Sequence, residues 1–386
     1  MTWTALNIPS WPIITQVERD AVDRVLASGR INAWGGTEVS SFEDACAEAF
    51  DVDHALAVCN GTVALERALE VLDVGPGDDV LVTPRSFLAS ASCVVRRGAR
   101  PIFADVDVDS QCLTPATLEA ARTPRTKAVV LVHLAGWPCD VPAIMQWAEP
   151  HNIAVVEDAS QAHGAAINGK PVGGIGHVGC FSFCQDKIIT SGGEGGLITT
   201  NDPLLYERLW SLRDHGRNRA MAHAPEPEPG FRWQQTAFGS NDRMTEMQAA
   251  IGRVQLADLQ SRLEARRRNA RLLHDAVTSG GSFRSPWPSE RIDHAWYRYH
   301  CFAENREERD RILEQMHEAG VPCFQGPCPE IYREQAFADA GFVPADRLPV
   351  ARHLGETSLQ FLTHHTIDEA CMHQVADRVA EVLERV

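Results

Sequence analysis

The 386-residue chain has no apolar run long enough to span a bilayer. Apolar stretches such as Ala128 to His133 are strand-sized, whereas a membrane helix needs about 20 consecutive apolar residues. Basic residues are also in short supply. Lys and Arg number 36 against 52 Asp and Glu, a formal charge of −16. That acidity disfavours sequence-independent binding to nucleic acid or anionic lipid, which requires a basic footprint. Anionic small molecules are not excluded, because a pocket can be locally positive on an acidic protein. The eleven cysteines, an odd number, include no Cys-x-x-Cys pair. They suit reduced, mostly buried thiols better than a disulfide frame or a zinc knuckle, and no metal site is expected. The opening MTWTALNIPSWPI has no basic region ahead of an apolar one, so no signal peptide is expected and the chain is expected in the cytoplasm. Internal repeats and low-complexity tracts are absent as well. With 44% hydrophobic and 23% charged residues the composition is that of an ordinary globular protein, long enough for two domains.

Seven strand-sized apolar runs lie between residues 55 and 200, at 55–59, 79–83, 100–107, 128–133, 153–160, 179–183 and 196–200. Most are apolar at consecutive positions, as in strands covered on both faces. Helical periods alternate with them, at 62–72 and 141–151 for example, and GPGD at 75–78 is a turn signal. Alternation of this kind predicts an α/β fold with a largely parallel, seven-stranded sheet flanked by helices. Residues 218–237 break the rhythm and read as a long surface loop. Beyond them Met244, Met247, Ile251 and Val254 recur at helical spacing, which predicts one long helix continuing through RLEARRRNARLL. That helix bridges into a smaller α+β domain, giving domains at 1–255 and 256–386.

Three local features suggest chemistry, and each has a plainer reading. Asn60-Gly61-Thr62 joins a strand to a helix. Glycine permits close backbone approach, threonine offers a hydroxyl, and the helix N-terminus offers free N–H groups, together a phosphate seat. The same tripeptide is also an ordinary turn with a threonine cap. Glu157-Asp158 ends an apolar strand, where open α/β sheets place their ligands. An acid there also serves to cap a turn, but Gln161 and His163 follow closely. Lys187 lies between Phe183 and Ile188-Ile189 and precedes the glycine run 192–196. Partial burial would make its amine nucleophilic toward carbonyls, against the plain reading of a solvated surface charge. A phosphate seat, a strand-end acid and a later lysine together fit pyridoxal phosphate, which needs an anchor, an acid on its ring nitrogen and a lysine.

With these residues in view, the chain resembles the fold-type I, pyridoxal-phosphate-dependent sugar aminotransferases of the DegT/StrS group. The resemblance runs through SGRINAWGG, NGTVAL, GPGDDVLVTPRSF, FADVDVDS, TPRTKAVVLVHLAGWPCDV, VVEDASQAHGA, FSFCQDKIITSGGEGG and NDRMTEMQAAIGRVQL. It implies that Lys187 holds the cofactor as a Schiff base and shuttles the proton. Asp158 would pair with the pyridinium nitrogen, and Gln161 would contact the ring near its phenolic oxygen. Gly61, Thr62 and Ser182 would hold the phosphate, Phe87 would lie against the ring, and His163 would lie near it. Asn241 would reach the phosphate from a neighbouring subunit, making the protein a homodimer with shared sites. The implied substrates are an amino-acid donor, glutamate first, and a keto sugar, expected to be nucleotide-linked.

Two segments depart from the family pattern. LQFLTHHTI stands where many relatives have a proline-rich segment, and GPCPEIY at 326–332 replaces a commoner basic loop. Both regions contribute to substrate contacts in the family, so the substrate is the least determined feature. His364 and His365 have no acidic or cysteine ligand at useful spacing and read as a loop pair at the domain edge. The alternatives are a keto-cyclitol acceptor, to which the CQDKIITSGGEGG motif is similar, and a sugar dehydratase on the same scaffold. Related dehydratases carry histidine at the lysine position, so Lys187 argues against that reading. A non-catalytic protein on this fold would tolerate loss of Lys187 or Asp158, and both are present.

Overall fold

The computed structural model describes residues 6–224, 233–279 and 283–385. All seven apolar runs form strands of one sheet. They are β1 (His54–Val58), β2 (Asp79–Val82), β3 (Arg100–Phe103), β4 (Thr126–Val132), β5 (Ala154–Asp158), β6 (Val178–Ser182) and β7 (Gly196–Thr200). The order across the sheet is β1-β7-β6-β5-β4-β2-β3. Only β7 runs against its neighbours, β1 and β6, and the other pairings are parallel. Apolar cores cover both faces, which is why β4 and β5 carry valines at consecutive positions instead of alternating with polar residues. The helix Gly61–Val71 packs Ala64, Leu65, Ala68 and Leu69 into one of these cores.

A second, antiparallel sheet follows. It contains β8 (Arg298–Phe302), β9 (Cys323–Phe324) and β10 (Ser358–Leu362), with β10 in the centre. Tyr299, Cys301, Leu359 and Phe361 pack from it against the helices Leu259–Ser279, Arg306–Glu318 and Glu369–Leu383. No helix among the described residues is long and apolar enough to cross a membrane.

Two expectations need correction. The long helix beginning near Met244 is two helices, Glu246–Ala257 and Leu259–Ser279, separated at Asp258. Both enter a core of the large sheet, the first through Ala249 and Leu256 and the second through Leu259 and Leu263, and each has a further partner. The first packs Ala250 against Ala21 and Val25, and its Gly252 lies so close to Phe42 that a Cβ would sit 2.9 Å from that ring. The second carries Leu259 and Leu263 into a core of the large sheet and Ala270, Leu273 and Val277 into that of the small one. The first helix ends at its cap Asp258, where the backbone leaves helical geometry at φ −94° and ψ 3°. In the expected loop at 218–237, Arg219–His223 forms a short helix because Asn218 caps it, accepting from the Met221 N–H at 3.0 Å. Residues 225–232 of that loop lie outside the described residues.

Candidate active site

The parallel strands end along one edge of the large sheet, and the chain turns there bring the chemistry together. A cavity of ≈ 990 Å³ opens at this edge. Gly61, Thr62, Phe87, Asp158, Gln161, Ser182 and Lys187 all line it. His163 and Asn241 do not.

At the mouth of β1, Asn60 is the helix cap: its side chain accepts from the Val63 N–H at 2.9 Å. The cap is therefore not threonine, and the Thr62 hydroxyl is left for another partner. Gly61 lies against Ser182 at the end of β6, where a Cβ would sit 2.7 Å from the Ser182 Cβ. The result is a small cradle of helix N-terminal N–H groups with hydroxyls on either side, the donor set a phosphate ester requires. Phe87 also lines the cavity and is 67% exposed, so much of its ring is open.

The adjacent acids at the end of β5 separate by strand alternation, which sends successive side chains to opposite faces. Glu157 is fully buried and structural. It meets His133 Nε2 at 3.0 Å and accepts from the backbone N–H groups of Gly173, Ile175 and Gly176. Burial alone would push its pKa up, but His133 and these N–H groups win and hold it below the ordinary value. Asp158 is the acid that faces the cavity. Its Oδ2 accepts from Ser90 Oγ at 2.7 Å and its Oδ1 from the Ser160 N–H at 3.2 Å. Gln161 is oriented too, its Oε1 accepting from the Ala135 N–H at 2.8 Å. His163 lies beneath, fully buried between Phe181 and Phe183. Burial, with the charge of Lys187 added, lowers its pKa to about 3, so the ring is neutral.

Lys187 follows β6 on a turn that the glycine run shapes. Gly192 and Gly193 take φ values of +90° and +120°, open to glycine alone without strain, and the Gly193 carbonyl accepts from the Gln185 N–H. The lysine side chain is 14% exposed, with Nζ 3.8 Å from Asp186 Oδ1 and 5.3 Å from the centre of the Tyr297 ring. Asp186 also accepts from the Tyr297 hydroxyl. Burial raises the Asp186 pKa, but Lys187, the Tyr297 hydroxyl and Arg298 outweigh it and keep the carboxylate charged. From the far end of the chain, Trp11 Nε1 donates to the Lys187 carbonyl at 3.0 Å. The His364-His365 segment holds that tryptophan. The His365 ring meets the indole edge to face, and Thr366, bonded to His364, donates to the Ser10 carbonyl. Among the described residues no group of three or more His, Cys, Asp or Glu could hold a metal ion.

Several lining residues escaped sequence reasoning. Ser90 orients Asp158 from a different strand connection, while Tyr297, Arg298, His300 and Gln360 enter from the small sheet. Pro327 and Cys328, in the divergent GPCPEIY loop, also line the cavity. Asn241 is exposed and outside this chain's cavity. It caps no helix, because Thr245 caps the helix that follows, accepting from the Gln248 N–H.

Residues 12–380 match the family described as the DegT/DnrJ/EryC1/StrS aminotransferase family. The chain is 35% identical over 351 residues to UDP-N-acetyl-3-dehydro-alpha-D-glucosamine 3-aminotransferase of Acidithiobacillus ferrooxidans, covering 91% of this chain and 89% of that protein. It is 41% identical over 278 residues to L-glutamine:2-deoxy-scyllo-inosose aminotransferase of Streptomyces kanamyceticus, covering 71% of this chain and 65% of that one. Among solved structures, the aminotransferase from Psychrobacter cryohalolentis superposes with a TM-score of 0.96 at 45% identity, covering 98% of this chain and 99% of that one.

Proposed function

Because the chain belongs to the DegT/DnrJ/EryC1/StrS aminotransferase family and is a pyridoxal-phosphate-dependent aminotransferase, we propose that it moves an amino group from an amino acid to a nucleotide-linked keto sugar. L-glutamate is the first candidate donor. One observation carries the site assignment: the phosphate cradle, the strand-end acid and the lysine line a single cavity at the carboxyl edge of the sheet. Pyridoxal phosphate, when bound, supplies an electron-poor ring that stabilises negative charge on the carbon losing its proton.

The chain's own residues do the rest. The N–H groups of Gly61 and Thr62 and the hydroxyls of Thr62 and Ser182 bind the phosphate. Asp158, held by Ser90 and Ser160, keeps the ring nitrogen protonated, and Phe87 and Gln161 position the ring. Lys187 would hold the cofactor covalently and, once the donor's amine displaces it, would accept and return the proton within each half-reaction. His163 supports the floor as a neutral ring. Asn241, exposed and outside the lining of its own cavity, reaches the phosphate of a second copy in a homodimer. The division between a cofactor domain and a smaller domain is placed after residue 255, three residues before the helix break at Asp258, and the enzyme in the cytoplasm.

A keto-cyclitol acceptor is the second reading, favoured by the 41% identity to the Streptomyces kanamyceticus cyclitol aminotransferase. A panel of keto sugars and keto-cyclitols, each offered with glutamate or glutamine and followed by mass spectrometry, separates the two. Amino product from nucleotide-linked sugars supports the first reading, and product from cyclitols alone overturns it.

A further inference from the structure

Strand β8 reads Arg298-Tyr299-His300-Cys301-Phe302, and its side chains alternate between faces. Tyr299 and Cys301 are buried in the core of the small sheet. Arg298 and His300 therefore face the other way, and both line the cavity that holds Lys187. Gln360, the register partner of His300 on β10, lines it too.

These three polar groups differ in charge. The His300 Nε2 is buried without a partner, and burial beside Arg85 and Arg298 lowers the ring's pKa to about 3, so it is neutral. Gln360 carries no charge, which leaves Arg298 as the cation of this wall. Among the described residues no carboxylate forms an ion pair with it, whereas Arg96, the other arginine lining the cavity, is paired with Glu66. Arg298 is nonetheless held in place. Its Cζ sits 4.3 Å from the centre of the Tyr297 ring, and Nη1 donates to the Tyr297 carbonyl at 3.0 Å. Lys187 Nζ lies over the same ring. A fixed guanidinium with unused donors thus stands beside the reactive amine.

We propose that Arg298 binds the carboxylate of the amino-acid donor and so selects amino acids over simple amines. The proposal rests on the donor assigned above. A guanidinium fork matches a planar carboxylate through paired hydrogen bonds. A diphosphate calls for several cations, and this wall offers one, with His300 and Gln360 neutral and the Asp186 carboxylate, itself beside Lys187, as the nearby negative charge. The donor must present its nitrogen at the Lys187 end of the cavity. Its carboxylate hangs from the adjacent carbon, within the neighbourhood that the shared Tyr297 ring defines. A carboxylate on the keto acceptor would use the same chemistry, so the two half-reactions are followed separately.

The holoenzyme's cofactor absorbance reads both halves: conversion by L-glutamate, then return by the keto acceptor. In Arg298→Gln, half-saturation by glutamate should rise at least about thirtyfold, the loss expected when one member of a buried charge pair is truncated. Binding of the unreactive α-methyl-L-glutamate, read by its spectral shift, should weaken by the same factor. Butylamine, which has no carboxylate, should react equally with both proteins. Arg298→Lys keeps the charge without the fork and should show a smaller rise, which serves as the test if the glutamine variant does not fold. An unchanged donor half-reaction overturns the proposal. A loss confined to the acceptor half-reaction overturns it as well and moves the contact to an acceptor anion. If no amino acid converts the wild type, the donor assignment fails and this proposal falls with it. Conversion by wild type with an indifferent Arg298→Gln refutes the proposal alone.

Discussion

Replacing Gly61 with alanine sets two small effects against each other, and the geometry decides the sign. Gly61 is absent from the residues with positive φ, so its backbone accepts alanine without strain. On that ground alone alanine would stabilise the fold by about 0.4–1 kcal/mol, through lower entropy in the unfolded chain. Space decides otherwise. The new Cβ would lie 2.7 Å from the Ser182 Cβ, 3.2 Å from its Cα and 3.3 Å from its Oγ. Ser182 ends β6, which is paired on both sides, so relief requires the backbone of the strand or of the helix start to shift. Overpacking of this kind costs about 1–3 kcal/mol, more than the entropy gain. The shift also spreads the groups assigned to the phosphate. We expect Gly61→Ala to weaken retention of pyridoxal phosphate by about tenfold to a hundredfold, measured by equilibrium dialysis. A double-mutant cycle with Ser182→Gly isolates the cause, because that change removes the opposing Cβ together with the hydroxyl. Gly61→Ala should cost at least about 1 kcal/mol less in the Ser182→Gly background than in wild type. Strictly additive losses would refute the close-contact reasoning.

Borohydride reduction of the holoenzyme followed by peptide mapping should place the covalent cofactor adduct on Lys187; an adduct on Lys127 or Lys170 would overturn that assignment. His163, whose pKa lies at about 3 when folded against an ordinary 6.5, leaves the unfolded chain binding the extra proton between those values, so stability falls by about 1.4 kcal/mol per unit as pH drops through that window. His163→Phe should remove that share of the slope in denaturant melts taken between about pH 4 and pH 6, and an unchanged slope would mean the ring is protonated in the fold. For the subunit assignment, Lys187→Ala and Asn241→Ala should each be inactive or nearly so, while refolding an equal mixture makes about half the dimers hybrid and restores about a quarter of wild-type activity. No recovery from variants shown to exchange subunits would place Asn241 within its own chain's chemistry.

The contrast between what the sequence discloses and what it conceals follows from the range of the interactions involved. The seven strands of the large sheet are legible because a buried parallel strand is a short, continuous apolar run between turns, a purely local signal. The Asn60-Gly61-Thr62 turn, the Glu157-Asp158 pair and Lys187 draw notice because they stand at or just beyond such runs, and the family resemblance, not the local signal, gives them their proposed roles. The choice between Glu157 and Asp158 is not local. It depends on which face of β5 meets His133 and the 173–176 turn, leaving the other acid for the cavity. The break at Asp258 is a departure of the backbone at one residue, φ −94° and ψ 3°, that the apolar periodicity on either side does not register. Ser90 meets Asp158 across 68 residues of chain, and Trp11 meets the Lys187 carbonyl across 176. The wall of Arg298, His300 and Gln360 exists only because β8 pairs with β10 and their shared face turns toward the large sheet's edge. The groups assigned to amino transfer therefore sit in local motifs, while the groups proposed to choose a substrate come from distant segments meeting at the cavity. Substitutions in the small sheet should accordingly change which substrates are used before they change the reaction. Arg298 is the residue at which that separation is sharpest, since it shares the Tyr297 ring with Lys187 but is not among the residues proposed to hold the cofactor's phosphate.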